Sequence, residues 1–431
     1  MRPAAALVPA MLIWAASAGP ASGKELEIKV SGGEGEVRRV FAPRDSAEAV
    51  LVLRFGSGYA DEAEIQGGTL LSVHALLSMH RRVKYAELLQ TFHGATARLS
   101  TSIGPHETTF TLRAHRDELM EAAEQLCTVL FSPAFDPSAF PGAVERAMVD
   151  GTARSPLHEL LARLSLYTYV TDIRYRPDVE AERIETLAWP SVKRHLEGVF
   201  SPANATAVAT GGFNPAAMEA LLSRYSGGVR ASPRPPKLVL PLNHRFRARE
   251  EALLFFFPME LDQPEKVAAV RVLAELLEER VGQRMRRLPA SFPVEVRPLA
   301  TVPFRGLAVS LPAHSSTGTD ISIHVRQEAA NVQGGRTPDE QFTAARAEAI
   351  RHLGRVDARP ELLAEELLAG LEAAPGWVGP EVMSELKTLD VKRMVELLGP
   401  SLATEKSILL FFSPEVASSE ATATPVTEVS R

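Results

Sequence analysis

Cysteine is almost absent: Cys127 is the only one in 431 residues. No intrachain disulfide can form, so the fold must stand on buried apolar surface, which a chain of this length can supply. Charge of one sign is not concentrated anywhere. The 47 basic and 53 acidic side chains are interspersed and leave a formal charge of −6. That pattern excludes the footprint of a nucleic-acid binder and reads as a solvated surface. Beyond the N-terminus no segment is apolar enough to cross a bilayer. There is no Gly-x-Ser-x-Gly elbow, no phosphate-cradling glycine loop, no nucleophilic-cysteine signature and no His-x-x-Glu-His in either direction.

The N-terminus MRPAAALVPAMLIWAASAGPASGKE has Arg2, an apolar run from Ala4 to Ala16, and then small residues. It reads as a secretory signal, with Ala16-Ser17-Ala18 or Ala21-Ser22-Gly23 at the cleavage point. The run is short for a membrane span and holds Pro9, and no cysteine follows to carry a lipid. An exported chain, periplasmic or extracellular, is expected. Cys127 falls on the apolar stripe Leu119, Ala122, Ala123, Leu126, Leu130 of an amphipathic helix and is expected to be a small buried hydrophobe.

Along the chain strands and helices mix. Residues 49–56 read as a strand, 67–80 as a helix and 85–92 as a second, short helix. Residues 95–103 and 107–114 read as a hairpin about Gly104-Pro105-His106, and 116–131 as the cysteine helix. Helices dominate from 142 to about 199. Further on come strands at 251–257, 306–311 and 320–326, and a long helix at 264–287. The stretch SGGVRASPRPPK is the best linker, and the tail ASSEATATPVTEVSR is expected to be disordered. Two passages echo each other: TLAWPSVKRHLEGVFSPANATAVATGGF from Thr186 and TLDVKRMVELLGPSLATEKSILLFFSP from Thr388. Each runs from a Val-Lys-Arg helix through a proline into an apolar strand, which suggests a duplicated unit.

Four stretches in order carry a resemblance: AVLVLRFGSGYADE leading into GGTLLSVHALLSM; FHGATARLSTSIGPHETTFTL; FDPSAFPGAVERAMVDG; and FSPANATAVATGGFNPAAMEALLSRY. Together they resemble the insulinase-like zinc metallopeptidases, the family of mitochondrial processing peptidase, over roughly Lys24 to Pro414. The resemblance implies an α+β fold of two homologous halves, each an antiparallel sheet with helices packed on it. The expected division is a signal over 1–23, a first half over 24–225, a linker over 226–236, a second half over 237–416 and the tail over 417–431.

An active half carries His-x-x-Glu-His on its first helix, so that positions i, i+3 and i+4 share one face, and a distant glutamate completes the zinc ligands. Aligned on Gly68, those positions hold Leu71, His74 and Ala75, and the distant one, counted from Glu145, holds Thr152. Neither an isobutyl group nor a methyl can ligate zinc, so no catalytic residue, metal or cofactor is expected. His74 among Leu70, Val73 and Leu77 reads as structural. His93, His106 and His115 lie about the hairpin, where alternation sets them apart. The family implies a role for such a chain: an inactive subunit that pairs with an active zinc chain and encloses a peptide or unfolded-protein substrate. In QRMRRLPASFPVEV, Arg286 stands for the family's substrate-binding arginine and Phe292 for its tyrosine, without the hydroxyl. The rival expectations are an active metallopeptidase with an unrecognised metal site, and a stand-alone envelope binding or scaffold protein.

Overall fold

In the computed structural model, the strand β3 (Glu48–Phe55) shows how this sequence makes its sheets. It does not alternate apolar and polar residues, because both its faces are covered. Ala49, Leu51, Leu53 and Phe55 enter one hydrophobic cluster, and Val50 and Val52 enter a second. The structure describes residues 28–33, 35–62, 65–92, 96–150, 160, 162–165, 168–169, 173–175, 181–231, 242–247, 252–286, 293–300, 304–312, 318–372 and 379–413.

In the first half, β1 (Lys29–Ser31) and β2 (Arg38–Pro43) precede β3. Then come α1 (Gly68–Ser78), α2 (Tyr85–Phe92), the hairpin β4 (Ala97–Ile103) and β5 (Thr108–His115), α3 (Leu119–Phe131) and α4 (Phe140–Asp150). The half ends with α5 (Ala181–Thr186), α6 (Trp189–Val199), β6 (Ala205–Gly211) and α7 (Pro215–Leu222). The second half has β7 (Leu242–Arg247), β8 (Ala252–Pro258), the 22-residue α8 (Pro264–Met285), β9 (Glu295–Ala300), β10 (Arg305–Pro312), α9 (Gly318–Gln333), α10 (Asp339–Ala358) and α11 (Pro360–Glu372). It closes with α12 (Pro380–Thr388), α13 (Val391–Leu398) and β11 (Ile408–Ser413).

The strand orders are β1-β2-β6-β3-β5-β4 and β7-β11-β8-β10-β9. Leaving out β1, the two orders correspond strand for strand. In each, the first and last strands of the half run parallel and every other pairing is antiparallel. The echo in the sequence falls at equivalent places: α6 leads into β6, and α13 leads into β11. Duplication is thus written in the topology. The halves share their cores. The face of the first sheet bearing Val40, Val52 and Val208 joins the cluster of α8–α13, while Leu254, Phe256 and Leu410 join the first-half cluster. Thr210 donates to the Pro360 carbonyl at 2.6 Å, and Arg113 pairs with Glu361 at 2.5 Å, so α11 is tied to the first sheet.

One expectation is overturned. Residues 320–326 belong to the helix α9, not to a strand. Ile323 is 54% exposed while Val325, Ala329 and Val332 are buried, which is helical spacing and not the alternation the local sequence suggests. The edge strand of the second sheet next to β10 is β9, hidden in the sequence by Pro298, which an edge strand tolerates; β1, β2 and β7 carry no pattern that the sequence reading picked out either. The linker stretch is described over 226–231 and beyond that lies outside the described residues, as do the signal segment and the tail. Cys127 is fully buried on α3, and burial pushes its thiol up to about 12. A thiol reagent is therefore expected to label the native chain only at its unfolding rate, and to label it at once in denaturant; rapid labelling of folded protein would contradict the burial.

Candidate functional site

Gly67 begins α1 in the left-handed region, at φ 86°, and has no side chain with which to cap the helix. Glu62 supplies the cap from five residues upstream. Its carboxyl accepts from Gly67 N at 2.5 Å and from Thr69 N at 2.9 Å, so two otherwise orphaned helix N–H groups are satisfied. Glu62 is 4% exposed, and burial pushes its carboxyl up to about 7 even though those N–H groups pull the other way. Thr69 Oγ1 lies 3.1 Å from His195 Nε2, joining α1 to α6. Burial holds the His195 imidazole down at about 4, with Asp61 opposing, so it is neutral at ordinary pH.

A second polar group stands beside this cap. His106 Nδ1 is 2.9 Å from the Asp61 carboxylate, and His106 Nε2 is 2.9 Å from the Tyr175 hydroxyl. A carboxylate only accepts, so the Nδ1 proton points at Asp61, while Nε2 and the tyrosine hydroxyl share the second bond. Tyr175 is buried and its ring packs on Tyr169 at 4.4 Å between centroids. Backbone bonds from Tyr59 N to Gly104 O and from Ala60 N to Pro105 O hold the hairpin turn against the same segment. Gly58 is required there, since a Cβ would sit 2.0 Å from the Gly104 carbonyl oxygen. With both ring nitrogens engaged and the hydroxyl enclosed, this set clasps the turn and has no group left to attack a substrate.

The metal-ligand positions face inward. Leu71 and Ala75 are fully buried, one helical turn apart, and belong to the apolar cluster that also holds Ala143 and Ala147 of α4, the helix against which α1 packs. His74 lies between them and is half-buried. Glu145 is exposed on α4, and Thr152 lies outside the described residues. No set of three or more His, Cys, Asp or Glu side chains among the described residues is arranged to hold a metal ion. Zinc does not fit here: hydrocarbon offers it no lone pair. The hairpin histidines do not assemble either. His93 is outside the described residues, and His106 and His115 sit at opposite ends of β5, about 25–30 Å apart at strand spacing.

Of the expected peptide-contacting pair, Arg286 ends α8 with an exposed side chain 3.3 Å from Glu279. It lines a cleft of about 920 Å³ between α8 and α10, together with Glu275, Glu278, Arg280 and Glu348. Phe292 lies outside the described residues. The sequence reading missed Glu62, His195 and the Asp61–His106–Tyr175 set. The partners are 45, 69 and 126 positions apart, and no local pattern marks such pairs.

No protein-family model and no curated protein matches the sequence. Solved structures do. The chain is similar to a structure described as a peptidase M16 inactive domain from Pseudomonas fluorescens, at 16% identity and TM-score 0.70, over 91% of this chain and 99% of that one. It is also similar to the first half of the periplasmic protease PqqL from Escherichia coli, at 13% identity and TM-score 0.68, over 91% and 93% of the two chains. A protease from Helicobacter pylori matches at 12% identity and TM-score 0.68, over 90% and 100%. At these identities the likeness is one of fold, and the chain has the duplicated α+β fold of the M16, or insulinase-like, peptidases.

Proposed function

We propose that the chain is a non-catalytic subunit that pairs with an intact zinc metallopeptidase chain of the same fold and helps enclose an extended peptide. The observation that carries this reading is the pair Leu71 and Ala75, fully buried where two histidines would have to stand. The Pseudomonas structure described as an inactive domain and the Escherichia protease described as periplasmic support the same reading and an exported location. In the pair, Arg286 and Phe292 contact the peptide from the second half, Arg286 at the rim of the cleft between α8 and α10. No described helix is long and apolar enough to cross a membrane.

Co-expression with a neighbouring chain that carries His-x-x-Glu-His tests this. The two are expected to co-purify, with zinc in the partner alone, and peptide cleavage is expected to rise when this chain is added. One zinc per purified copy of this chain, with chelator-sensitive cleavage, would refute the reading. In the reconstituted pair Arg286→Ala is expected to raise KM about five-fold, ~1 kcal/mol, with kcat little changed. An unchanged KM would remove Arg286 from the peptide path.

A further inference from the structure

The two sheets correspond strand for strand, and so do two helix pairs. α8 follows β8 as α1 follows β3, and α10 is the second helix after the strand pair β9–β10, as α4 is after β4–β5. In both halves the two helices pack side by side. The first pair is packed shut, with Leu71, Ala75, Ala143 and Ala147 buried in one apolar cluster. The second pair is open, and the cleft of about 920 Å³ lies in it. A volume of that order is ordinary for a ligand site, about 300–1,000 Å³. Helical spacing sets its walls: Glu275, Glu278, Glu279 and Gly282 stand at i, i+3, i+4 and i+7 on one face of α8, opposite Ala345 and Glu348 of α10. Leu276 and Val294 add apolar lining.

The two guanidinium groups of the cleft are engaged. Arg286 stands 3.3 Å from Glu279 at the rim. Arg280 turns to Glu328 at 3.5 Å, to Gln341 Oε1 at 2.9 Å and to the Arg336 carbonyl at 3.2 Å. Of the carboxyls, Glu348 pairs with Arg351 and Arg355, and Glu278 accepts from Val296 N at 3.2 Å. Glu275 has no ion pair or hydrogen bond among the described residues. It is half-buried about three turns behind Arg286. Burial first, and then the charges of Glu278 and Glu348, push its carboxyl up to about 7, with Arg355 and Arg351 opposing. Carboxylates at i and i+4 on one helix repel, and a cation between them relieves that. A bare metal ion does not match, since no three carboxyls among the described residues are arranged to hold one. A cation on an aliphatic stem does, because the stem lies on apolar lining while the head meets the carboxyls. We propose that this cleft takes a lysine or arginine side chain of an extended peptide, its head against Glu275, Glu278 and Glu348. That the ligand is a peptide rests on the role proposed above; that it is cationic follows from the cleft itself.

The test uses the full chain alone, so it gives an answer whether or not a peptidase partner co-purifies. The probe is a fluorescein-labelled decapeptide of alternating Lys and Ala, read by anisotropy against its Gln counterpart. The Lys peptide is expected to bind at least ten-fold tighter and to weaken as salt is raised. Glu275→Gln is expected to weaken it about five-fold. Gly282→Leu fills the cleft, where a Cβ would meet no atom within 4 Å. It is expected to weaken binding at least ten-fold without lowering the thermal midpoint, since leucine is the better helix former. Glu121→Gln makes the same charge change at an exposed position of α3 and is expected to leave binding unchanged. Equal binding of the Lys and Gln peptides would overturn the proposal, as would unchanged binding in both cleft variants. An equal loss in Glu121→Gln would trace the effect to the net negative charge of the chain and overturn it too. Binding of spermidine without binding of the peptide would overturn the peptide and leave a free polyamine as the ligand.

Discussion

A chain in which Leu71 and Ala75 become histidine and His74 becomes glutamate is expected to lose most of its stability and to gain no zinc. Leu71 and Ala75 are fully buried in an apolar cluster. Replacing leucine there forfeits about 2 kcal/mol of burial. Each imidazole brings a polar ring into hydrocarbon, at about 1–3 kcal/mol if its nitrogens find no partner, and the alanine site has no room for a ring, which adds about 1–3 kcal/mol of overpacking. The sum, about 5–11 kcal/mol, is comparable to the whole stability of an ordinary domain. Zinc binding is expected not to repay it, because Thr152, the residue aligned with the family's third ligand, offers a hydroxyl and not a carboxylate. The measurement is the urea midpoint with and without zinc, followed by elemental analysis of whatever folded protein remains. Wild-type stability together with one bound zinc would mean that the site is a pocket in waiting and not a packed core. Leu71→Ala alone is expected to cost about 2–5 kcal/mol, by cavity formation without any new polar group.

Much of the architecture was legible because the informative signals are local. The Gly104-Pro105-His106 turn marks its hairpin, and the 85–92 helix and β3 fall within a residue of where their patterns place them. The echo beginning at Thr186 and Thr388 foretells two sheets of one topology. The failures have physical causes. In α9 the alternation of Ile321, Ile323 and Val325 mimics a strand, but the apolar partners that decide the matter sit at Ala329 and Val332, a helical step further on. In β9 a proline masks an edge strand. The residue types at Leu71 and Ala75 are read from the sequence alone, and neither side chain carries a donor atom. The Asp61–His106–Tyr175 set and the His195 contact were not legible there, since each depends on which strands and helices become neighbours, and the Glu62 cap, though local, reaches its helix from five residues upstream, where no capping pattern marks it.

The second large effect is expected on the pH axis, around the start of α1. In the folded chain Glu62 holds its proton up to about 7, against 4.5 for an ordinary glutamate. Between those values the folded state carries a proton that the unfolded state has released, so stability falls as pH rises. His195 acts in the opposite sense. Its folded value is about 4 against 6.5, so as pH falls through that interval the unfolded chain takes up a proton that the folded chain refuses, and stability falls. Each slope is about 1.4 kcal/mol per pH unit, and each full span is worth about 3 kcal/mol. Between 4.5 and 6.5 the two slopes oppose and cancel. The summed contribution of these two buried groups is thus flat there, and they share Thr69, one through its backbone N–H and one through its hydroxyl. His195→Gln removes one side, and its stability relative to wild type is expected to slope downward from 4.5 to 6.5. Glu62→Gln removes the other and is expected to slope upward over the same interval. Glu275, also pushed up to about 7 by burial, is common to all three proteins and drops out of the comparison. Urea midpoints from pH 4 to 8 measure the slopes. Curves that run parallel in all three proteins would show that neither group changes its proton affinity on folding.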